Sequence, residues 1–426
     1  MRLRARKDHP PTVVGPRPPV IMPGVGRPLK PRPIWLIPLA IWVVALIAFV
    51  RGNDDGHGTK ASIRLAGAQQ TVFSWDRDAC EPIDVPDTPA RAFRNASGDV
   101  IVVASHFVTR LYAGSTLDTV RHRCQVSMQS QFDSNPARFD DHDWLSSVYT
   151  LDGTTVYGLL HDEYQGNTHP GHCRSRVYNR CWYNAITFAA SRDGGLTFTR
   201  PQPPTHLVAS VPYPYKPDFG RPYGVFQPSN TLKKGDYYYV LVHVEQFGLQ
   251  QAGACLMRTN RLEDPRSWRA WDGREFSVAF VDPYTAPPGT NPAQHVCAPV
   301  APAEIEKMSQ SLTYNTYLGK YLLVGAAGGY VPSRAENLWG IYFSVSDNLI
   351  DWTPRKLIAE AELPWTYKCG DRFPILYPSV LDPSSRSRNF ETSGQRPWLY
   401  FTRFKYPGCQ QAQGRDLVRV PLEIRK

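Results

Sequence analysis

From about residue 80 the chain is a succession of short apolar or alternating runs broken by Gly, Pro, Asn and Asp, with almost no helical periodicity. The runs include "DVIVVASHF", "WLSSVYTL", "TVYGLLHDEY", "AITFAAS", "YYYVLVHVE", "KYLLVGAAGG", "GIYFSVS" and "PWLYFTRF". Many short strands with frequent turns restrict the fold to a sandwich, a barrel or a propeller. Internal repetition decides among them. "TVYGLLHDEYQG" (155–166) aligns with "YYYVLVHVEQFG" (237–248), matching His161 to His243 and Glu163 to Glu245. "GRPYGVFQPSN" (220–230) aligns with "GDRFPILYPSV" (370–380), and an acidic turn followed by an aromatic recurs in "SRDGGLTF", "NRLEDPRSW" and "SDNLIDW". The repeat is roughly 70–80 residues with four strands each, a sheet that cannot bury both faces alone and does so when stacked radially. The expectation is all-β: a five-bladed β-propeller over 80–426, with blades near 80–125, 140–200, 220–280, 305–360 and 370–426. The first looks short and is expected to share a strand with the C-terminus. A pair of β-sandwiches is the alternative.

The first 79 residues are of a different kind. "IWLIPLAIWVVALIAFV" (34–50) carries no charge and is bracketed by Arg32 and Arg51, with Trp35 and Trp42 suited to an interface. Its length is at the short end of what spans a bilayer. Eight Lys and Arg against Asp8 in residues 1–34 predict that this side stays in the cytoplasm. The expected organisation is a basic, Pro-rich cytoplasmic tail (1–33), a single transmembrane helix (34–51), a linker (52–79), and a periplasmic, extracellular or luminal propeller (80–426). A cleaved signal peptide and a buried core helix are the rival readings. With Arg51 counted on the N-terminal side, residues 52–426 hold only +2 of the chain's net +10, so the charge gives no support to a nucleic-acid partner.

All eight cysteines follow the apolar segment, which argues for disulfides in an exported domain. Neighbour pairing (80–124, 173–181, 255–297, 369–409) is the simplest of the 105 possibilities. No paired C-x-x-C points to zinc. Asn95-Ala96-Ser97 is an N-glycosylation sequon, informative in a eukaryotic host.

The turn Ser191–Phe198 resembles the Asp-box of sialidase-type and related propellers, Ser-x-Asp-x-Gly-x-Thr-Trp, with Phe198 in place of Trp. "SDNLIDW" (346–352) is a degenerate cousin, similar to turns in five-bladed glycosidases that act on arabinans, xylans and fructans. The resemblance implies that Asp193 is structural, bonding backbone N–H groups on an outer strand, and that chemistry belongs to the inner strands. The sialidase side of it implies three arginines (Arg91 or Arg94, Arg221, Arg372) and a Tyr–Glu pair with Tyr377 or Tyr406 as the phenol, although "ARAFRN" departs from that family's start. The arabinanase side implies one acid in each of three early blades, for which Asp87, Asp143 and Glu163 or Glu245 would serve.

Glycoside hydrolysis needs two carboxyl groups across the scissile bond. "DDHDWLSSVY" places Asp140, Asp141 and Asp143 before an expected inner strand, and "LLHDEYQG" ends the next with His161, Asp162 and Glu163. The expected catalytic residues are Asp143, Glu163 and Glu245. Asp87, His161, Asp162, Arg221, His243, Asp371 and Arg372 are expected to bind substrate. The loop "HPGHCRSRVYNRC" (169–181) is expected at the rim beside Glu163, lining a sugar or anion subsite. Trp144, Trp182, Tyr330, Trp339 and Trp365 offer faces for sugar stacking, most of them expected in the core. "GAAGGYVP" (325–332) looks like a phosphate loop but lacks the Lys-Ser/Thr and the helix. The implied function is a membrane-anchored glycoside hydrolase acting on an envelope or extracellular glycan. It needs no redox cofactor or catalytic metal and leaves room for a structural calcium. The alternatives are a non-catalytic propeller that binds glycan or protein, and an envelope assembly scaffold.

Overall fold

The alternation of side chains along a strand sends neighbouring residues to opposite faces of a sheet, and here both faces are apolar. In the strand Val100–Val103, Val100 and Val102 enter one core while Ile101 and Val103 enter another. Leu322 and Val324 likewise pack away from Leu323, and Leu399 and Phe401 away from Tyr400. Strands buried on both sides read as continuous apolar runs, which is why "VIVV", "YLLV" and "YYYVLV" look as they do.

The computed structural model describes residues 61–370 and 373–426. Among these, 23 strands form four hydrogen-bonded sheets, the nine-stranded one spanning two blades, and divide into five blades whose strands pair antiparallel. Blade I is β3 (Arg91–Arg94), β4 (Val100–Val103), β5 (Val108–Gly114) and β6 (Arg121–Gln129). Blade II is β7 (His142–Thr150), β8 (Val156–Gln165), β9 (Trp182–Ser191) and β10 (Leu207–Ala209). Blade III is β11 (Tyr223–Pro228), β13 (Tyr237–Glu245), β14 (Gly253–Thr259) and β15 (Arg269–Ala270), with β12 (Leu232–Lys234) beside β13. Blade IV is β16 (Ser311–Asn315), β17 (Lys320–Val331), β18 (Glu336–Ser346) and β19 (Lys356–Glu360). Blade V is β20 (Ile375–Leu381), β22 (Trp398–Phe404) and β23 (Arg415–Arg425), with β21 (Thr392–Ser393) running parallel to β16.

Blade V is completed from the other end of the described chain. β1 (Ser62–Leu65) and β2 (Gln70–Phe73) both pair antiparallel with β23. Residues expected to be linker are therefore sheet, and the sharing runs opposite to expectation: the N-terminal segment lends strands to the last blade. Ile63 and Phe73 explain this, because each drops into a core beside blade V. The expected tail (1–33) and membrane span (34–51) lie outside the described residues. Among the described residues no helix is long and apolar enough to cross a membrane.

Five separate cores sit between the five blades. Val225 and Val242 meet Ile186 between III and II, and Leu241 meets Leu323 between III and IV. Val324 meets Leu399 between IV and V, Tyr400 meets Val102 between V and I, and Val103 meets Leu145 between I and II. Each blade thus packs on two others and the ring closes, which makes this a five-bladed β-propeller. The four disulfides follow the neighbour pairing: Cys80–Cys124, Cys173–Cys181, Cys255–Cys297 and Cys369–Cys409.

The Asp-box turn is structural and lies beyond β9. Asp193 Oδ1 accepts from the Thr197 N–H at 2.9 Å, Ser191 Oγ accepts from the Gly195 N–H at 2.8 Å, and Phe198 is buried. In the degenerate copy the working residue is Asn348, whose Oδ1 accepts from the Ile350 and Asp351 N–H groups. Asp347 instead points out to Lys320.

On the ring axis lies Arg91 of the first inner strand. Its guanidinium donates to the Ser146 carbonyl at 2.9 Å, the Pro228 carbonyl at 3.1 Å, the Gln310 carbonyl at 2.6 Å and Ser379 Oγ at 3.2 Å. Those partners belong to blades II, III, IV and V. Arg91 is 1% exposed, so it is not available to a substrate carboxylate. Arg91→Ala would leave these buried carbonyls unpaired, at a cost of roughly 1–3 kcal/mol for each group not re-satisfied. The expected result is a large fall in the urea midpoint; a midpoint unchanged within error would contradict this role.

Candidate active site

In blade II, β7 pairs with β8 so that His142 faces Glu163, Asp143 faces Asp162 and Trp144 faces His161. β8 pairs with β9 so that His161 faces Ile186 and Glu163 faces Asn184. Directly opposed residues share a face. One face therefore carries His142, Trp144, His161, Glu163, Asn184 and Trp182, and the other carries Asp143 and Asp162. β9 continues into β11 with Asn184 beside Gly224, and β11 into β13 with Phe226 opposite His243 and Gly224 opposite Glu245. The first face thus crosses from blade II into blade III. Its rings run Trp144, His161, Phe226, His243, with centroid spacings of 6.2, 5.8 and 4.4 Å.

Glu163 sits on this face. Oε2 accepts from Tyr178 Oη at 2.8 Å and from Gln165 Nε2 at 3.1 Å. Burial pushes its carboxyl up to about 8, against the opposing pull of the Tyr178 and Gln165 hydrogen bonds. Oε1 lies 3.7 Å from His161 Nδ1. Asn184 Nδ2 donates to the Tyr223 carbonyl at 3.0 Å, so its Oδ1 is the atom facing His161 Nε2 at 2.8 Å. Nε2 then carries the hydrogen and Nδ1 presents a lone pair to Glu163 Oε1. Burial takes His161 down to about 4, so the ring is neutral. A lone pair facing Oε1 disfavours a second negative centre there and favours a proton on Oε1.

Asp87 precedes β3 and gathers partners from three blades. Oδ1 is ion-paired with Arg415 of β23. Oδ2 accepts from Trp144 Nε1 at 3.3 Å and stands 3.4 Å from His106 Nε2. Burial brings His106 down to about 4, which makes it a neutral neighbour. The Tyr377 phenol lies in the same charged neighbourhood, and its ionisation is driven well up by burial and by the Asp87 and Glu163 charges. Tyr377 has φ 60° at a register break in β20. That backbone is costly for a bulky residue, and it marks where the inner strand of blade V is bent beside the carboxyls.

The other expected residues divide. Glu245 shares the face but is bound to Lys307 at 2.5 Å, with Arg221 and His243 each 3.6 Å away. Although burial opposes it, His243 and Lys307 bring its pKa down to about 2, which makes Glu245, expected among the catalytic residues, a fixed anion. Arg221, 45% exposed at its side chain, lies at the outer edge with Glu245. His243 stacks on Phe226 with an interplanar angle of 6°. Asp143 occupies the opposite face, fully buried and ion-paired with Arg200, which also holds Asp140 at 2.7 Å. Burial raises both carboxyls, Asp143 to about 8, against the opposing pull of Arg200. Asp162, on that same buried face, accepts the Asp141 N–H at 3.0 Å and anchors the strand start. Asp371 and Arg372 lie outside the described residues. Arg94 is spent on the Ser385 and Ser387 carbonyls, and Tyr406 packs on Tyr367.

Arg415, Tyr178, His106 and Asn184 complete the site and were not singled out from the sequence. Only Tyr178 had a signal, since it lies in the Cys173–Cys181 loop expected beside Glu163. Two groupings of three metal-ligand atoms occur among the described residues, Cys80–Asp84–His122 and Cys173–Cys181–Asp218. Both draw on disulfide sulfurs, which are not thiolate ligands.

No family model matches the chain, and no curated protein matches it. Solved structures are similar to it. A thermostable family-43 glycoside hydrolase shares 10% identity over 80% of this chain and 95% of its own, with a TM-score of 0.41. The α-L-arabinanase of Cellvibrio cellulosa complexed with arabinohexaose shares 9% over 78% and 91%, with a TM-score of 0.43. The GH43_1 enzyme from Xanthomonas citri complexed with xylotriose shares 14% over 81% and 91%, also at 0.43.

The Glu163 environment has a consequence for stability. Its folded pKa of about 8 lies above the ordinary 4.5, so its contribution is full below pH 4.5 and is lost as pH rises through about 8. Glu163→Gln cannot ionise and should flatten the fall in thermal midpoint across that window. The difference is expected to be on the order of a few kcal/mol; parallel pH profiles for the two proteins would refute the burial argument.

Proposed function

We propose that this chain is a glycoside hydrolase in which Glu163 is the general acid and Asp87 the catalytic base or nucleophile. One observation carries the reading. Two carboxyls in different settings lie within electrostatic reach of each other where blades I, II and V converge: Glu163, held as a neutral acid by burial, and Asp87, ion-paired with Arg415. Glycoside hydrolysis takes one carboxyl as acid and a second as base or nucleophile. Glu163 would pass the proton on Oε1 to the glycosidic oxygen as its bond to the anomeric carbon breaks. Asp87 would take a proton from the attacking water, or attack that carbon itself. The aromatic floor from Trp144 to His243 suits the apolar face of a sugar ring. Glu245 supplies a fixed negative charge at the outer edge.

The same reading includes anchoring through residues 34–51 and a propeller outside the cytoplasm. It is supported by the basic flanks of that segment and by four disulfides with no free cysteine among the described residues. Protease treatment with any outer barrier opened and the anchoring membrane intact tests it: a propeller that stays protected until that membrane is lysed overturns that location.

Activity against a panel of envelope polysaccharides should fall roughly 10²–10⁴-fold in Glu163→Gln, the usual span for removal of a general acid. Product release that survives this change removes Glu163 from the mechanism, and binding without hydrolysis in the unaltered protein leaves a glycan-binding propeller. The rate should decline as pH rises through about 8, where Glu163 loses its proton. Tyr178→Phe removes a hydrogen bond that favours the carboxylate, so the basic limb should move to higher pH. A downward shift would contradict the assigned donor.

A further inference from the structure

The candidate site leaves unexplained a cluster of exposed rings on blade IV. Tyr330 is 62% exposed, Trp339 45% and Trp365 60%. Trp339 lies opposite Gly328 in the β17–β18 pair, and Tyr330 opposite Asn337, which makes Tyr330 and Trp339 diagonal neighbours on one face. A Cβ built on Gly328 would come within 3.2 Å of the indole. The "GAAGG" run is thus a smooth floor on which Trp339 lies flat with its other ring face open. Trp365 stands edge-on to Trp339, 6.5 Å away at 86°.

The ledge is at the same end of the propeller as the carboxyls. The β17–β18 connection and the β8–β9 loop that carries Tyr178 both join the second and third strands of their blades. Two residues after Trp365, Tyr367 packs on Tyr406 at 4.7 Å. Tyr406 begins the loop that leads to Arg415, the partner of Asp87. The charges beside the rings are matched: Arg334 with Glu336 and Glu360, and Arg355 with Glu306. Both of these arginines are thereby neutralised. Three rings are also far short of the roughly 1,000 Å² that a specific protein partner buries. Flat apolar faces among neutralised polar groups suit uncharged sugar rings.

Resting on the reading of Glu163 and Asp87 above, we infer that the Tyr330–Trp339–Trp365 ledge is a distal subsite for a neutral polysaccharide, so that the substrate is a polymer reaching from blade IV to the carboxyls. The test is affinity electrophoresis of the full chain carrying Glu163→Gln, in gels containing arabinan, xylan, β-glucan, mannan or polygalacturonate. A neutral polysaccharide should retard the protein, and adding Trp339→Ala and Trp365→Ala should weaken that retardation at least tenfold while Trp339→Phe largely preserves it. With Glu163 intact, the double tryptophan variant should raise KM on the polymer at least tenfold and leave turnover of a short aryl glycoside unchanged. Retardation by polygalacturonate alone, retardation by none of the polymers, or tryptophan-independent retardation would each overturn the subsite. Tryptophan-dependent retardation without hydrolysis by the unaltered protein would uphold the subsite and remove only the hydrolase reading.

Discussion

The guanidinium of Arg91 sits where the inner strands of the ring come together and donates to one oxygen from each of the other four blades. Burial works against the cation and brings its pKa down to about 9. The converging oxygens compensate for lost water, as buried charge requires. A single side chain thus ties five sheets at the point where none of them can pack a bulky apolar group against all the others. Away from the axis, the five inter-blade cores and the addition of β1 and β2 to β23 complete the closure.

Within that ring, strand parity decides what can react. Asp143 and Glu163 lie one pair apart in the β7–β8 ladder, yet parity puts them on opposite faces. One face is sealed by Arg200 into an internal charge network. The other opens onto the aromatic row that continues into blade III. Equally buried acids therefore have different fates: Asp143 has a cation as its permanent partner, while Glu163 has only neutral hydrogen-bond donors and a neutral imidazole.

Much of the architecture was legible in the sequence because propeller blades repeat. The alignment of His161-x-Glu163 with His243-x-Glu245 matched the ends of the second strands in blades II and III, and the Pro-Ser alignment matched their inner-strand counterparts in blades III and V. The cysteine pairing followed local order. Less legible was the role of residues 62–73, whose two short strands carry no repeat signal and are defined only by the edge of β23 they cover. Asn348 was likewise hidden behind Asp347, since either residue could cap such a turn.

The sequence by itself determined the strand-rich fold, the number and approximate limits of the blades, and the acids at strand ends, because periodicity and turn chemistry are local. Only the tertiary structure decided which acids share a face, which are neutralised by Arg200 or Lys307, and that Arg415, more than 300 residues away in the chain, meets Asp87. Those outcomes depend on the register between strands and on the closure of the ring. Both bring together residues whose separation along the chain carries no trace of their contact.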